Sequence, residues 1–177
     1  VAIAADVFRA KGFDAATLDD VAEALDMRRA SIYYYVKSKG ELLYLVIERA
    51  LRFALDRLGQ LERVDDPRRR LAALIRHQVE TITAETSFFG VFFDDRPRLG
   101  GHYEVEIRRR EMEYYQIYVS AVRCAAEQGV IEPVDARFGA QAILGMTTWA
   151  YKWFAPTDDV DAFADTCVEL VLGTPRT

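Results

Sequence analysis

Cysteine is nearly absent from this sequence. Only Cys124 and Cys167 carry thiols, in separate apolar stretches without CxxC or Cys/His spacing, which excludes a disulfide scaffold and suits a reducing compartment. Histidine is equally scarce, with His77 and His102 the two in the chain. His77 and Glu80 form one isolated helical pair where a di-iron bundle needs two, and no Gly-x-Ser-x-Gly, P-loop or HExxH pattern occurs. No catalytic residue, metal ligand or cofactor is therefore expected, and the chain does not read as an enzyme. Glycine and proline number 10 and 5, and no Asn-Gly or Asp-Gly pair marks a hairpin, which removes collagen-like repeats, flexible linkers and hairpin-rich β folds. No apolar run approaches the roughly 18 residues that span a bilayer. The opening Val1-Ala2-Ile3-Ala4-Ala5-Asp6 lacks the basic start of an export signal, so a cytoplasmic protein without a membrane partner is expected. Val1 already stands within a helical pattern, and a short preceding segment is expected outside this numbering.

What is present points to helices. Hydrophobic residues make up 51% of the chain and charged residues 29%, a balance that packs rather than stays disordered, and the good helix formers Ala, Leu, Glu and Arg are abundant. An all-α fold is expected. The formal net charge of −5 argues by itself against a nucleic-acid partner, yet its distribution argues the reverse. Met27 to Lys39 holds Arg28, Arg29, Lys37 and Lys39 and no acid, a local charge of +4. Residues 111–177 hold ten acidic residues against four basic ones, so the far end would be repelled by a phosphate backbone.

Periodicity orders the elements. Ala4, Val7, Phe8 and Lys11 give a first helix that stops at Gly12. Thr17 with Asp20 three residues on forms a capping box before the stripe Leu18, Val21, Ala22, Leu25. After a break at Asp26, Met27 and Arg28, the positions Ala30, Ile32, Tyr33 and Val36 give a third short helix crossing the second, the spacing of a helix-turn-helix. Ser38 and Glu41 open a long helix expected to run to about Leu61. Asp66-Pro67 starts another, with Leu71, Leu74, Ile75, Gln78, Val79 and Ile82 on one face. A short apolar helix covers Phe88 to Phe93. Arg96 to Gly101 reads as a mobile loop, and a helix follows from His102 to Gln128. Asp135 to Phe154 and Asp158 to Leu172 close the chain. These last two are apolar around much of their circumference, so they are expected to pack both inward and against a second copy, as a homodimer.

Three segments together carry a resemblance: Val7-Phe8-Arg9-Ala10-Lys11-Gly12-Phe13, Thr17-Leu18-Asp19-Asp20-Val21-Ala22, and Ala30-Ser31-Ile32-Tyr33-Tyr34-Tyr35-Val36-Lys37-Ser38-Lys39-Gly40-Glu41-Leu42-Leu43. In that order they resemble the DNA-binding domain of the TetR family of bacterial transcriptional regulators. The resemblance implies an all-helical homodimer, with a helix-turn-helix domain over 1–48 and a larger ligand-binding and dimerisation domain over 49–177. It also implies repression at a near-palindromic double-stranded DNA operator, relieved by a small-molecule effector. Ile32 and Val36 read as the docking face of the third helix. Arg28, Arg29, Ser31 and Tyr34 are then left to read bases, since Arg forks onto guanine O6 and N7 and Tyr offers a ring to a thymine methyl. Thr17, Tyr33, Tyr35 and Lys39 match family positions that touch phosphates. Four positions depart from the family: Asp26 for the usual turn Gly, Arg28 for a capping Ser or Thr, Tyr35 for His and Val36 for Phe.

The back of the chain is rich in aromatics. Phe89, Phe92, Tyr115, Tyr118, Met146, Trp149 and Trp153 are the candidates to line an apolar effector pocket, and Arg96, Arg98 and Arg108-Arg109-Arg110 could meet an anionic group. Three consecutive arginines cannot share one helix face, so most of that run reads as solvated charge. The segment Trp149-Ala-Tyr-Lys-Trp153 is similar to one in TetR-type regulators of fatty-acid and steroid catabolism, which implies a lipid-like or acyl-CoA effector. The competing reading keeps the helical dimer but treats the front as a protein-docking module. The acid-free basic stripe speaks against it.

Overall fold

A computed structural model describes residues 1–56, 58–61 and 63–173. Its elements are α1 Ala2–Lys11, α2 Leu18–Ala24, α3 Arg29–Ile32, α4 Lys39–Leu55, α5 Leu58–Leu61, α6 Pro67–Ala84, α7 Thr86–Asp95, a 3-10 turn Arg96–Arg98, α8 Gly101–Glu127, α9 Ala136–Thr148, α10 Ala150–Trp153 and α11 Val160–Leu172. The fold is all-α, with no strand among the described residues.

Two compact units emerge. The front one joins Val1–Arg52 to Glu85–Arg109, and the rear one joins Phe53–Ala84 to the chain from Arg110 onward. Compactness thus divides the chain differently from a cut at residue 48, because α7, the 3-10 turn and the start of α8 pack within the front unit. There α1 lies on α2 and α7, and α2 on α3, around buried Ala5, Phe8, Val21, Ala22, Ile32, Leu43 and Ile47. In the rear unit α6 is central and carries α5, α9, α10 and α11 against it. Its stripe Leu71, Leu74, Ile75, Val79 and Ile82 is buried, each side chain contributing roughly 1.5–3 kcal/mol of transfer free energy. Arg68 closes the far end of α11 by donating to the Leu172 and Gly173 carbonyls at 3.0 and 2.8 Å.

Four elements depart from the periodicity. The helix from Ser38 stops at Leu55, and α5 begins only at Leu58. The third helix is one turn, ending at Ile32, after which i→i+3 bonds from Tyr34 to Ser31 and from Tyr35 to Ile32 take over. Three consecutive tyrosines have little helix propensity to extend it. The segment from Asp135 divides at Trp149. Buried Thr147 stands two residues before the division, its hydroxyl donating to the Ile143 carbonyl at 2.8 Å. Arg96 to Arg98, expected within a mobile loop, forms the 3-10 turn and is followed by buried Leu99.

Gly139 sets how closely α9 approaches α8. A Cβ there would stand 2.8 Å from Cγ1 of Val122, which is itself buried. Gly139→Ala should therefore lower the denaturant midpoint, since overpacking of about 1–3 kcal/mol outweighs the roughly 0.5–1 kcal/mol gained by removing a helical glycine. The cap of α2 yields a second expectation. Hydrogen bonds from Lys11 and Thr17 hold the Asp20 carboxyl at about 2, below its ordinary 3.8. Its contribution is then complete above the ordinary value and disappears as pH falls through the lowered one. Asp20→Asn should reduce stability at neutral pH and flatten the loss between about pH 4 and pH 2, as followed by circular dichroism.

Candidate functional site

The α1–α2 loop comes first, because it sets the start of α2. Thr17 and Asp20 cap that helix reciprocally. The Asp20 amide donates to Thr17 Oγ1 at 3.1 Å, the Thr17 amide and hydroxyl donate to Asp20 Oδ2 at 2.8 and 2.9 Å, and Lys11 Nζ donates to Asp20 Oδ1 at 2.7 Å. Lys39, at the start of α4, reaches back to the same loop. Its Nζ donates to the carbonyls of Phe13, Asp14 and Ala16 at 2.8, 3.1 and 2.8 Å and sits 4.6 Å from the centre of the Phe13 ring. Two of the candidate phosphate contacts, Thr17 and Lys39, are thus engaged within the protein.

The turn between α2 and α3 follows from backbone bonding. The Met27 amide donates to the Ala22 carbonyl at 2.9 Å and the Asp26 amide to the Glu23 carbonyl at 3.0 Å, the paired bonds of a Schellman motif. That motif needs a left-handed residue, and Asp26 supplies it at φ 52°. Aspartate enters this region more readily than most side chains, which is why the usual glycine is dispensable here. Arg28 precedes α3 without any side-chain capping bond, the consequence of arginine standing where Ser or Thr would cap.

Buried and exposed faces separate cleanly on α3 and the turn after it. Ile32 and Val36 are buried, whereas Tyr33, Tyr34 and Tyr35 are 58%, 89% and 73% exposed. Arg28 and Arg29 are exposed and Ser31 is half-buried. Arg29 reaches Asp19 Oδ2 at 3.4 Å, an exposed ion pair of the kind water screens heavily. Tyr35 also borders an apolar cleft of about 350 Å³ together with Ala4, Val21, Ile32, Val36 and Leu42. At the start of α4, Ser38 Oγ accepts from the Glu41 amide at 3.1 Å, while Glu41 accepts from the Lys37 amide rather than from Ser38.

The pocket candidates fall on both units. Phe89 and Phe92 are buried in the front unit and cluster with Phe93, at centroid distances of 4.9 to 6.5 Å. Tyr115, Tyr118, Met146, Trp149 and Trp153 belong to the rear unit. Tyr118 is buried and donates to the Leu74 carbonyl at 2.9 Å, and Tyr115 donates to the Arg137 carbonyl at 3.1 Å. Met146 is half-buried, and Trp149 and Trp153 are exposed. Of the arginines, Arg108 and Arg109 pair with Glu104 and Glu106 along α8, and Arg98 is held by Asp14.

Sequence reasoning does not single out Gln78 and Tyr114 as site residues, and the structure makes them the polar centre of the rear unit. Tyr114 donates to Gln78 Oε1, Gln78 Nε2 donates to Thr148 Oγ1 at 3.2 Å, and the Tyr114 and Tyr118 hydroxyls are 3.2 Å apart. Burial raises both phenols above their ordinary range and keeps them protonated. The available signal is a glutamine on an apolar helical stripe, which requires a partner wherever it is buried. Among the described residues no group of three or more His, Cys, Asp or Glu could hold a metal ion, and no helix is long and apolar enough to cross a membrane.

Comparison with known proteins covers both parts of the chain. The HTH-type transcriptional repressor KstR2 of Rhodococcus jostii is 26% identical, over 96% of this chain and 86% of that protein. The crystal structure of AibR in complex with isovaleryl coenzyme A and operator DNA superposes with a TM-score of 0.89 at 26% identity, covering 97% of this chain and 95% of that one. PfmR from Thermus thermophilus, a TetR family transcriptional regulator, shares the fold at a TM-score of 0.90 and 24% identity, covering 99% and 98% of the two chains. Residues 1–45 match the bacterial regulatory proteins of the tetR family, and residues 64–174 match the tetracyclin repressor-like C-terminal domain. The chain belongs to the TetR family of bacterial regulatory proteins.

Proposed function

We propose that this protein is a ligand-responsive repressor that binds a near-palindromic operator as a homodimer and leaves it when a small apolar or acyl-CoA-like effector binds. The observation that carries the reading is the division of the α3 segment: Ile32 and Val36 are spent on the core, while Arg28, Arg29 and Tyr34 face water with no packing role. In a helix-turn-helix this is the face that enters the major groove. Arg28 and Arg29 supply forks for guanine, Tyr34 a ring for thymine and Ser31 a hydroxyl. Tyr33 and Tyr35 place their phenols at the flanking phosphates, and Thr17 and Lys39 fix the frame from which all of these project.

Residues 1–48 read DNA in this proposal, and 49–177 supply effector binding and dimerisation. The dimer face is apolar and exposed: Phe138 and Trp149 at the two ends of α9, Trp153 in α10 and Leu170 in α11 are 70%, 60%, 51% and 72% accessible in a single protomer. A symmetric interface brings each of these patches onto its own copy. The effector class is inferred from AibR, which is solved with isovaleryl coenzyme A, and from Tyr115, Tyr118 and Met146 of the rear unit. The reading is of a cytoplasmic regulator and not an enzyme.

Selection of bound sequences from genomic fragments, repeated at two salt concentrations, tests it. A recurring palindrome with half-sites about one helical turn apart, lost at high salt, is the expected result. Arg29→Ala and Tyr34→Ala should each weaken that operator about tenfold or more and leave the sedimenting dimer intact. Isovaleryl coenzyme A serves as the effector probe and should release the wild-type protein. Recovery of no enriched sequence transfers the front unit to the protein-docking reading.

A further inference from the structure

Arg98 lies far from α2 and α3 in sequence, in the 3-10 turn after α7. Its guanidinium is nevertheless the partner of Asp14 in the α1–α2 loop. Nε donates to both carboxylate oxygens at 3.0 Å, and Nη2 donates to Oδ2 at 2.7 Å. Nη1 turns the other way, donating to the Asp94 carbonyl at 3.2 Å and standing 3.3 Å from Asp95 Oδ1. Asp95 is buried, and burial raises its carboxyl above the usual range. Arg98 cannot swing away without leaving that buried acid less compensated, so the acid fixes the guanidinium and the guanidinium fixes Asp14.

Asp14 in turn belongs to the Lys39 knot. Its carbonyl is one of the three that receive the Lys39 ammonium, and a second, Ala16, immediately precedes the Thr17 cap. We propose that Arg98 is a positioning residue for DNA binding: from outside the helix-turn-helix it anchors the loop that fixes the first turns of α2 and α4. The role rests on the DNA-binding reading above, and it commits Arg98 to the protein's own carboxylate rather than to an anionic effector. Arg98 lies within the span matching the C-terminal domain, so this region holds a direct grip on the DNA-reading frame.

Charge alone and positioning make opposite forecasts for Asp14. Arg98→Met removes a positive charge and lowers affinity for DNA on either account. Asp14→Asn removes a negative charge, which by Coulomb's law raises affinity for a polyanion, whereas loss of the anchor lowers it. The experiment measures binding of a labelled random-sequence duplex at low salt by fluorescence anisotropy, for the wild type, both single variants and the double variant. Both singles should weaken binding about fivefold and the double no more than either single, the signature of one shared interaction. Amide exchange should accelerate at residues 17–20 and 39–42 and stay unchanged in α6 and α11. Asp14→Asn is near-isosteric at an exposed position and carries the test by itself if Arg98→Met does not fold. Unchanged or raised affinity for Asp14→Asn, or additive losses, overturns the positioning role while leaving the repressor reading intact. A wild type without salt-dependent DNA binding overturns both.

Discussion

Three backbone carbonyls in the α1–α2 loop, those of Phe13, Asp14 and Ala16, share one cation, and the front unit is built around that arrangement. Lys39 gives one N–H to each carbonyl, so all three donors of the ammonium are used and none is left over. The same ammonium stands over the Phe13 ring, which meets Phe8 edge-on at 5.3 Å, and Phe8 is buried in α1. One side chain thereby ties the first turn of α4 to the loop, to the aromatic pair of α1 and to the residue before the α2 cap. Hydrogen bonds to charged donors contribute about 1.5–3 kcal/mol each, large against the roughly 5–15 kcal/mol that separates folded from unfolded domains.

Several helix ends in both units are closed by local devices. The Thr17–Asp20 box begins α2, a Schellman pair ends it, and the Asp66 carboxylate opens α6 by accepting from the Arg69 amide at 2.7 Å. The α7 side of the front unit is held by cations. Arg49 lies 5.1 Å from the Phe88 ring and 3.9 Å from Glu85, Arg9 lies 3.8 Å from Asp94, and Tyr44 stacks on Tyr103 at 4.5 Å. Gly90 leaves room for the Arg9 side chain, whose Cδ would be 2.6 Å from a Cβ at that position. Several such contacts, each weak on a solvated surface, act together because their members are already fixed by helices.

Local devices were legible in the sequence, and long-range ones were not. Thr17 with Asp20, Asp66 with Pro67 and Gly12 each announce a helix end within four residues, and each stands where expected. Ile32 and Val36 declare the buried face of α3 and the turn after it by spacing alone. Lys39 was legible as a cation but not as a clamp, because its partners lie more than twenty residues earlier. Arg98 and Asp14, 84 positions apart, leave no local trace of their pairing. The breaks at Leu55 and Trp149 were hidden by apolar periodicity that continues through them.

The α3 segment is the part of the front unit with the least means of its own. A helix of one turn is too short to persist unaided, Arg28 supplies no cap to its first turn, and its outward residues contribute nothing to the core. What holds it is external: Ile32 and Val36 in the core, Asp26 in the left-handed turn, and the Lys39 knot that places α2 beneath it. In the function proposed above, nucleic-acid reading sets this limit, since Arg28, Arg29 and Tyr34 would have to stay free of the core to meet base edges. Affinity for an operator then depends on two sets of residues with separate tasks. The exposed set decides which bases are accepted, and the buried and clamped set, extending to Arg98 in the proposal above, decides whether the exposed set is presented in a fixed order at all.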